Sequence, residues 1–258
     1  MLGAIIGDIV GSRFEFDNTH DPKFQFFHKK CSFTDDTICT VAVADAILRD
    51  EPFAARLQYW CRKYPNPKGA YGSSFAAWIN SPNPQPYHSY GNGAAMRVSP
   101  CGWAYDSEAQ TLRAALMSAE CSHNHPEGLI GASTIARAIF KLRNMRYPSF
   151  RDGEIDSLIK DSYGENYVSN IPMSGIFDET CQGCVPLAFY ICTVANSFQD
   201  AIRKAVLYGG DTDTVAAIVG SLAEARWRIP AEMQAKALEY LPDEMKPIVF
   251  NFYDRFVR

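Results

Sequence analysis

Long apolar runs are missing from this chain. No stretch of its 258 residues is apolar for long enough to span a bilayer, which takes about 20 such residues in a helix. An excess of one charge is also missing. The 25 Lys and Arg and 29 Asp and Glu are interspersed and leave a net charge of −4. That balance argues against a nucleic-acid partner or an anionic membrane, and leaves room for a local basic pocket holding one pyrophosphate. There is no low-complexity tract, linker or strong internal repeat. The N-terminus has no basic segment ahead of its first apolar run and reaches an acid at Asp8, too early for a secretory signal. Strand-period alternation is absent, as are the Walker and Rossmann glycine patterns.

Cysteine is present but unordered. The eight residues are scattered, and Cys39 and Cys192 fall in apolar runs where a free thiol behaves as a small hydrophobe. A reduced, cytoplasmic protein is expected. The single CxxC, Cys181 to Cys184, has no second pair and no ligand histidine near it, so core packing is expected there rather than zinc.

The hydrophobic content of 47% is ample for a large core, and its period is helical. An apolar helix precedes Gly11. Thr34 can cap a helix to about Arg49, and Ser107 opens a capping box. Further helices are expected over residues 128–145, 186–196, 197–207, 212–227, 231–240 and 244–252. Two stretches read as loops, 17–31 and 65–100, and a loop as long as the second is usually functional. The expected fold is one all-α domain over residues 1–258.

Oxygen ligands concentrate at two places. Thr34-Asp35-Asp36-Thr37 and Asp211-Thr212-Asp213-Thr214 each precede an apolar helical run. Capping needs one such residue; four in succession exceed it. Carboxylates this close repel unless a cation lies between them, and hard divalent ions such as Mg²⁺ prefer oxygen ligands. Two clusters far apart in sequence suggest one site closed by the fold. Glu15 sits between two phenylalanines, a setting that raises a carboxyl pKa when enclosed. Ser89-Tyr90-Gly91-Asn92-Gly93 and Tyr71-Gly72-Ser73-Ser74 can bring backbone N–H groups to a phosphate, and Tyr90 offers a ring face to a base. His123 and His125 lie between two helices; a helix-terminus role or a ligand hydrogen bond suits them better than zinc.

Together these stretches, with Gly3 to Asp8, Phe33, His123 to Gly128, Cys181-Gln182-Gly183 and Gly209-Gly210, resemble the ADP-ribosylglycohydrolase family nearly from end to end. The resemblance implies a compact orthogonal helical fold with two Mg²⁺ ions, Mn²⁺ being a substitute. Thr34, Asp35, Asp36, Asp211, Asp213 and Thr214 match its metal ligands. Glu15, Asp35, Asp36 and Asp213 match its catalytic set. The 71–74 and 89–93 turns and His123 match its ADP-ribose contacts. Departures are Ala70, where many members carry Gly, and Cys184 and Leu187, where polar residues are frequent. The implied reaction removes ADP-ribose from a modified protein side chain by a monomeric enzyme, with an arginine N-glycoside favoured. Alternatives are serine O-linked, nucleobase or small-molecule conjugates, a two-metal nucleotide pyrophosphohydrolase, and a non-enzymatic crystallin-like or ADP-ribose-binding relative.

Overall fold

Glycines spaced four apart on the first helix set the architecture. In the computed structural model, which describes residues 1–257, α1 (Leu2–Gly11) carries Gly3, Gly7 and Gly11 on one stripe. That stripe runs antiparallel to Gly220, Ala216 and Thr212 of α12 (Thr212–Arg226). A Cβ on Gly7 would lie 1.9 Å from the Ala216 carbonyl oxygen, and one on Gly3 would lie 2.2 Å from that of Gly220. The two backbones therefore touch with no side chain between them. Every residue of α1 is buried, which accounts for its uninterrupted apolar character.

Around this pair all regular elements among the described residues are helices. In order, the helices between are α2 (Asp35–Arg49), α3 (Phe53–Lys63), α4 (Ser73–Asn80), α5 (Gly93–Met96), α6 (Ser99–Ala104), α7 (Glu108–Glu120), α8 (Pro126–Asn144), α9 (Gly153–Tyr163), α10 (Cys181–Val194) and α11 (Phe198–Tyr208). A 3₁₀ turn at Tyr167–Asn170 precedes α10, and α13 (Ala231–Tyr240) and α14 (Lys246–Phe256) close the chain. Among the described residues no helix is long and apolar enough to cross a membrane. One continuous apolar core runs from Met1 to Phe252. All eight cysteines are free, and Cys181 and Cys184 are buried in it.

Local chemistry sets the boundaries. Thr34, Ser107 and Ser197 cap α2, α7 and α11 by accepting from Asp36, Gln110 and Asp200 N–H groups. Helix α8 starts two residues earlier than its periodicity predicts, because His125 caps it and Pro126 occupies its first position. Helix α10 starts five residues before Pro186, the predicted first residue. Thr180 caps it through the Gly183 N–H at 3.1 Å, so the proline lies inside the helix. The 65–100 stretch is not a continuous loop. Phe75, Trp78 and Ile79 give α4 a buried face at helical spacing, and α5 and part of α6 follow.

The α1–α12 contact yields a direct test. Gly7→Ala should lower stability by about 1–3 kcal/mol or more, because the helices must separate. Gly153→Ala, where an added Cβ meets nothing within 4 Å, should stay within about 0.5 kcal/mol of the parent. Urea unfolding midpoints measure both, and equal values for the two variants would remove the close-contact account.

Candidate active site

The N-terminal ends of α2 and α12 meet beside the end of α1. Asp8, on the last turns of α1, is fully buried and accepts from both strands of the Thr34–Thr37 turn. Its Oδ2 takes the N–H groups of Thr34 and Thr37, each at 3.0 Å, and the Thr37 hydroxyl; its Oδ1 takes the Thr34 hydroxyl at 2.8 Å. With its proton committed to Asp8 and one lone pair accepting from the Asp36 N–H, the Thr34 oxygen keeps one lone pair for the other side. Thr214 Oγ1 donates to Asp36 Oδ2 at 3.0 Å. The two acidic stretches are thus tied directly to each other across 178 residues of sequence.

Asp211 stands at the N-cap position of α12 but makes no capping hydrogen bond. Its Oδ2 instead accepts from Asn92 Nδ2 at 2.7 Å. Glu15, Asp211 and Asp213 bring carboxylate oxygens within 4.8 Å of one another. Glu15 packs against Gly69, whose φ of +82° and missing Cβ leave room for the carboxylate; a Cβ there would lie 2.8 Å from Glu15 Oε2. The next residue, Ala70, also has a left-handed φ of +68°, a conformation that suits glycine better.

Burial is the first cause of the unusual acidities here. It pushes Asp8 up to about 7 and Glu15 up to about 8, and in both the Asp213 charge adds to it. Asp35, Asp36 and Asp211 are pushed well above the carboxylate range, and Asp213 upward as well, again by burial first. Glu15 Oε2, Asp36 Oδ1 and Asp213 Oδ1 are buried with no hydrogen-bond partner. Unpaired anionic oxygens converging in this way are costly in a protein interior, and a divalent cation with oxygen preference is the group that fits them.

These acids form one end of an open cavity of about 600 Å³. Glu15, Asp35, Asp211, Asp213 and Thr214 line it, with Thr34 and Asp36 packed behind. Tyr71, Gly72, Ser73, Ser74, Ser89, Gly91, Gly93 and His123 line the rest of it, and Asn92, which holds Asp211, joins the two groups. Residues 89–93 are clipped to the start of α10, with Asn92 N–H on the Glu179 carbonyl at 2.7 Å and Cys181 N–H on that of Tyr90 at 3.0 Å. Tyr90 does not line the cavity; it is half exposed and meets His125 edge-on. The 17–31 loop contributes no lining residue, while Phe16, Phe177 and Glu179 do.

Sequence reasoning assigned no role to Asp8, Ser122 or Arg97. Arg97 is completely buried and donates to Ser122 Oγ at 2.7 Å; that hydroxyl lies 2.8 Å from His123 Nδ1. As Ser122 Oγ accepts from Arg97 and has no other acceptor among the described residues, its proton goes to Nδ1. Nε2 then carries the ring proton and faces the Gly91–Gly93 turn, where it would lie 2.9 Å from a Cβ on Gly93. Burial, then the Arg97 charge, hold the imidazole pKa well below its ordinary value. His123 is therefore a neutral donor. A periodic arginine followed 25 residues later by Ser-His gives no readable sequence signal.

An all-helical scaffold with acids gathered at one end of a cleft, and glycine turns with a donor histidine at the other, defines an enzyme of the carboxylate-centred hydrolase class. The chain belongs to the ADP-ribosylglycohydrolase family, whose model matches residues 1–256. It is 24% identical over 322 residues to human ADP-ribosylhydrolase ARH3, covering 93% of this chain and 88% of that protein. It is 26% identical over 253 residues to the ADP-ribosyl-[dinitrogen reductase] glycohydrolase of Rhodospirillum rubrum, covering 88% and 84%. A solved structure titled ADP-ribosylglycohydrolase-related protein complex shares the fold, with a TM-score of 0.73 at 21% identity over 98% of this chain and 95% of that one.

Two outcomes test the electrostatics. In chelator, the folded chain holds protons on Asp8 and Glu15 that the unfolded chain has released. Stability should therefore fall as pH rises from about 5 to about 8, and a divalent cation should flatten that slope. Thermal unfolding at several pH values reads this; a slope of opposite sign would contradict the acidities above. Separately, ¹⁵N NMR at about pH 6.5, where a free imidazole is half charged, should show His123 neutral with its proton on Nε2. Ser122→Ala should move the proton toward Nδ1, and an unchanged spectrum would break the Arg97–Ser122–His123 chain.

Proposed function

We propose that this protein is a magnesium-dependent hydrolase that releases intact ADP-ribose from modified protein side chains, with arginine N-glycosides as its first substrates. The observation that carries the reading is the pair of buried, unpartnered oxygens on Glu15 and Asp213, which line one cavity together with the glycine turns and His123, with a third such oxygen on Asp36 behind them. Asp35, Asp36, Asp211 and Asp213, with the hydroxyl oxygens of Thr34 and Thr214, would hold two Mg²⁺ ions. When bound, the ions supply Lewis acidity and an activated water. Family membership and the two named relatives support the ADP-ribosyl substrate; the acidic lining, to which Glu179 adds, supports a cationic leaving group.

The chain's own residues do the rest. Asn92 fixes the Asp211 carboxylate through the bond described above, and Asp8 fixes the Thr34–Thr37 turn. N–H groups at the start of α4, with that of Gly93 in the 89–93 turn, bind the pyrophosphate. His123 donates its Nε2 proton to a ligand oxygen; being neutral, it adds no charge to that end. Glu15, beside Asp211 and Asp213 at the cavity rim, is placed to pass a proton to the departing nitrogen as the anomeric bond breaks with oxocarbenium character.

Asp213→Ala should abolish hydrolysis and the stabilisation by Mg²⁺ together, while Asn92→Ala should weaken Mg²⁺ stabilisation and leave the fold intact. Product masses should show whole ADP-ribose; phosphate-bearing halves would indicate a pyrophosphohydrolase instead. Full activity of the unaltered enzyme in chelator would overturn the assignment.

A further inference from the structure

Two phenylalanines at the cavity mouth are exposed without an evident structural need. Phe16 is 75% and Phe177 43% exposed, and their rings stack with centroids 6.0 Å apart and planes 14° from parallel. Both line the cavity. Their segments are nonetheless pinned. Asn18 ties the Phe16 segment to the α11–α12 corner: its amide donates to the Phe14 and Gly210 carbonyls at 2.6 and 3.2 Å and its oxygen accepts from Gly210 N–H at 2.8 Å. The Phe177 segment is tied to the same corner. The Tyr208 carbonyl accepts from Gly175 N–H at 2.8 Å and from Ser174 Oγ at 2.7 Å, and the Tyr208 hydroxyl donates to the Pro172 carbonyl at 2.7 Å. Gly210, with φ of +80°, lets the Ile176 carbonyl approach to where its own Cβ would be. Exposed ring faces on a fixed frame are a binding feature more than a loose loop.

Their place identifies what they meet. Phe16 follows Glu15, and Phe177 hangs on the corner that carries Asp211. The pair therefore borders the acidic part of the cavity beside Glu15, the group placed to protonate the departing nitrogen, and so lies where the leaving group exits. The neighbouring aromatics show what these rings accept. Arg13 covers Phe14 at 4.2 Å, and Arg203 covers Phe24 at 4.7 Å and Phe26 at 4.3 Å. Among the described residues no guanidinium covers Phe16 or Phe177. Glu179, two residues from Phe177 and lining the same cavity, adds an acidic side chain on this side.

We propose that the stacked pair Phe16–Phe177 is the leaving-group subsite and that it takes a guanidinium, whose delocalised plane is weakly hydrated and stacks on aromatic faces. This rests on the ADP-ribosyl hydrolase reading and adds the surface that selects the linkage. A serine hydroxyl has neither the plane nor the charge and gains nothing from these rings.

The test compares the unaltered enzyme with Phe16→Leu, Phe177→Leu and the double variant, since leucine keeps apolar bulk and removes the ring face. With Mg²⁺ present, kcat/KM for an ADP-ribosyl-arginine peptide should drop about tenfold in the double variant. The values for an ADP-ribosyl-serine peptide and the Kd for ADP-ribose should not move. Equal loss on both linkages, or no loss on arginine, overturns the proposal. A second readout is independent of turnover: saturation transfer from protein to agmatine, with ADP-ribose and Mg²⁺ bound, should be clear in the unaltered protein and lost in the double variant. Should the unaltered protein cleave no ADP-ribosyl glycoside, the functional reading fails by itself. The agmatine experiment then decides the subsite, and equal transfer to both proteins counts against it.

Discussion

Backbone contact between α1 and α12 is the constraint on which the site depends. Helices separated by ordinary side chains lie about 8–10 Å apart and tolerate some sliding. Here glycine stripes replace those side chains, and carbonyl oxygens of α12 occupy the space of absent Cβ atoms. A register set in this way has little freedom. Asp8 and Glu15, at and just beyond the end of α1, are consequently delivered beside Asp211 and Asp213 at the start of α12. The Thr34–Thr37 turn docks onto Asp8 and completes the centre. Packing energy in the core is in this way converted into precision among groups that repel one another.

That repulsion is the second theme. Six acids are collected where water is largely excluded, and hydrogen bonds satisfy only some of their oxygens. Asp8 is fully provided for by two N–H groups and two hydroxyls; Asp211 has the Asn92 amide. Glu15, Asp36 and Asp213 each keep an unpaired oxygen. The protein stabilises the acids that position others and leaves bare those facing a common point. At the opposite end the logic inverts. Burial, then the charge of Arg97, keeps His123 neutral, and the serine between the two sets which nitrogen donates.

Much of this was readable in the sequence because the signals were local. Thr34 before Asp35 and Asp36 announced a cap and an acidic cluster at once; Ser107 and Ser197 announced their helices. The α4 helix was hidden because only three large apolar residues, Phe75, Trp78 and Ile79, mark it within a stretch rich in Pro, Gly and Asn. The start of α10 was misplaced because proline more often opens a helix than continues one. Asp8 could be quoted as part of a motif, yet its four donors come from a turn 26 to 29 residues away, and no spacing rule encodes that docking. Phe16 and Phe177, 161 positions apart, become neighbours only through the Gly209–Gly210 corner.

That corner separates two kinds of demand on the chain. Most of the bonds holding the rim segments run to backbone atoms, while the rings themselves project into solvent. Residues 16 and 177 can therefore be exchanged without disturbing what supports them, whereas the acids behind them cannot. The architecture is modular at this edge: a fixed reaction centre with replaceable fittings, able to meet new leaving groups through a few surface substitutions and no refolding of the frame.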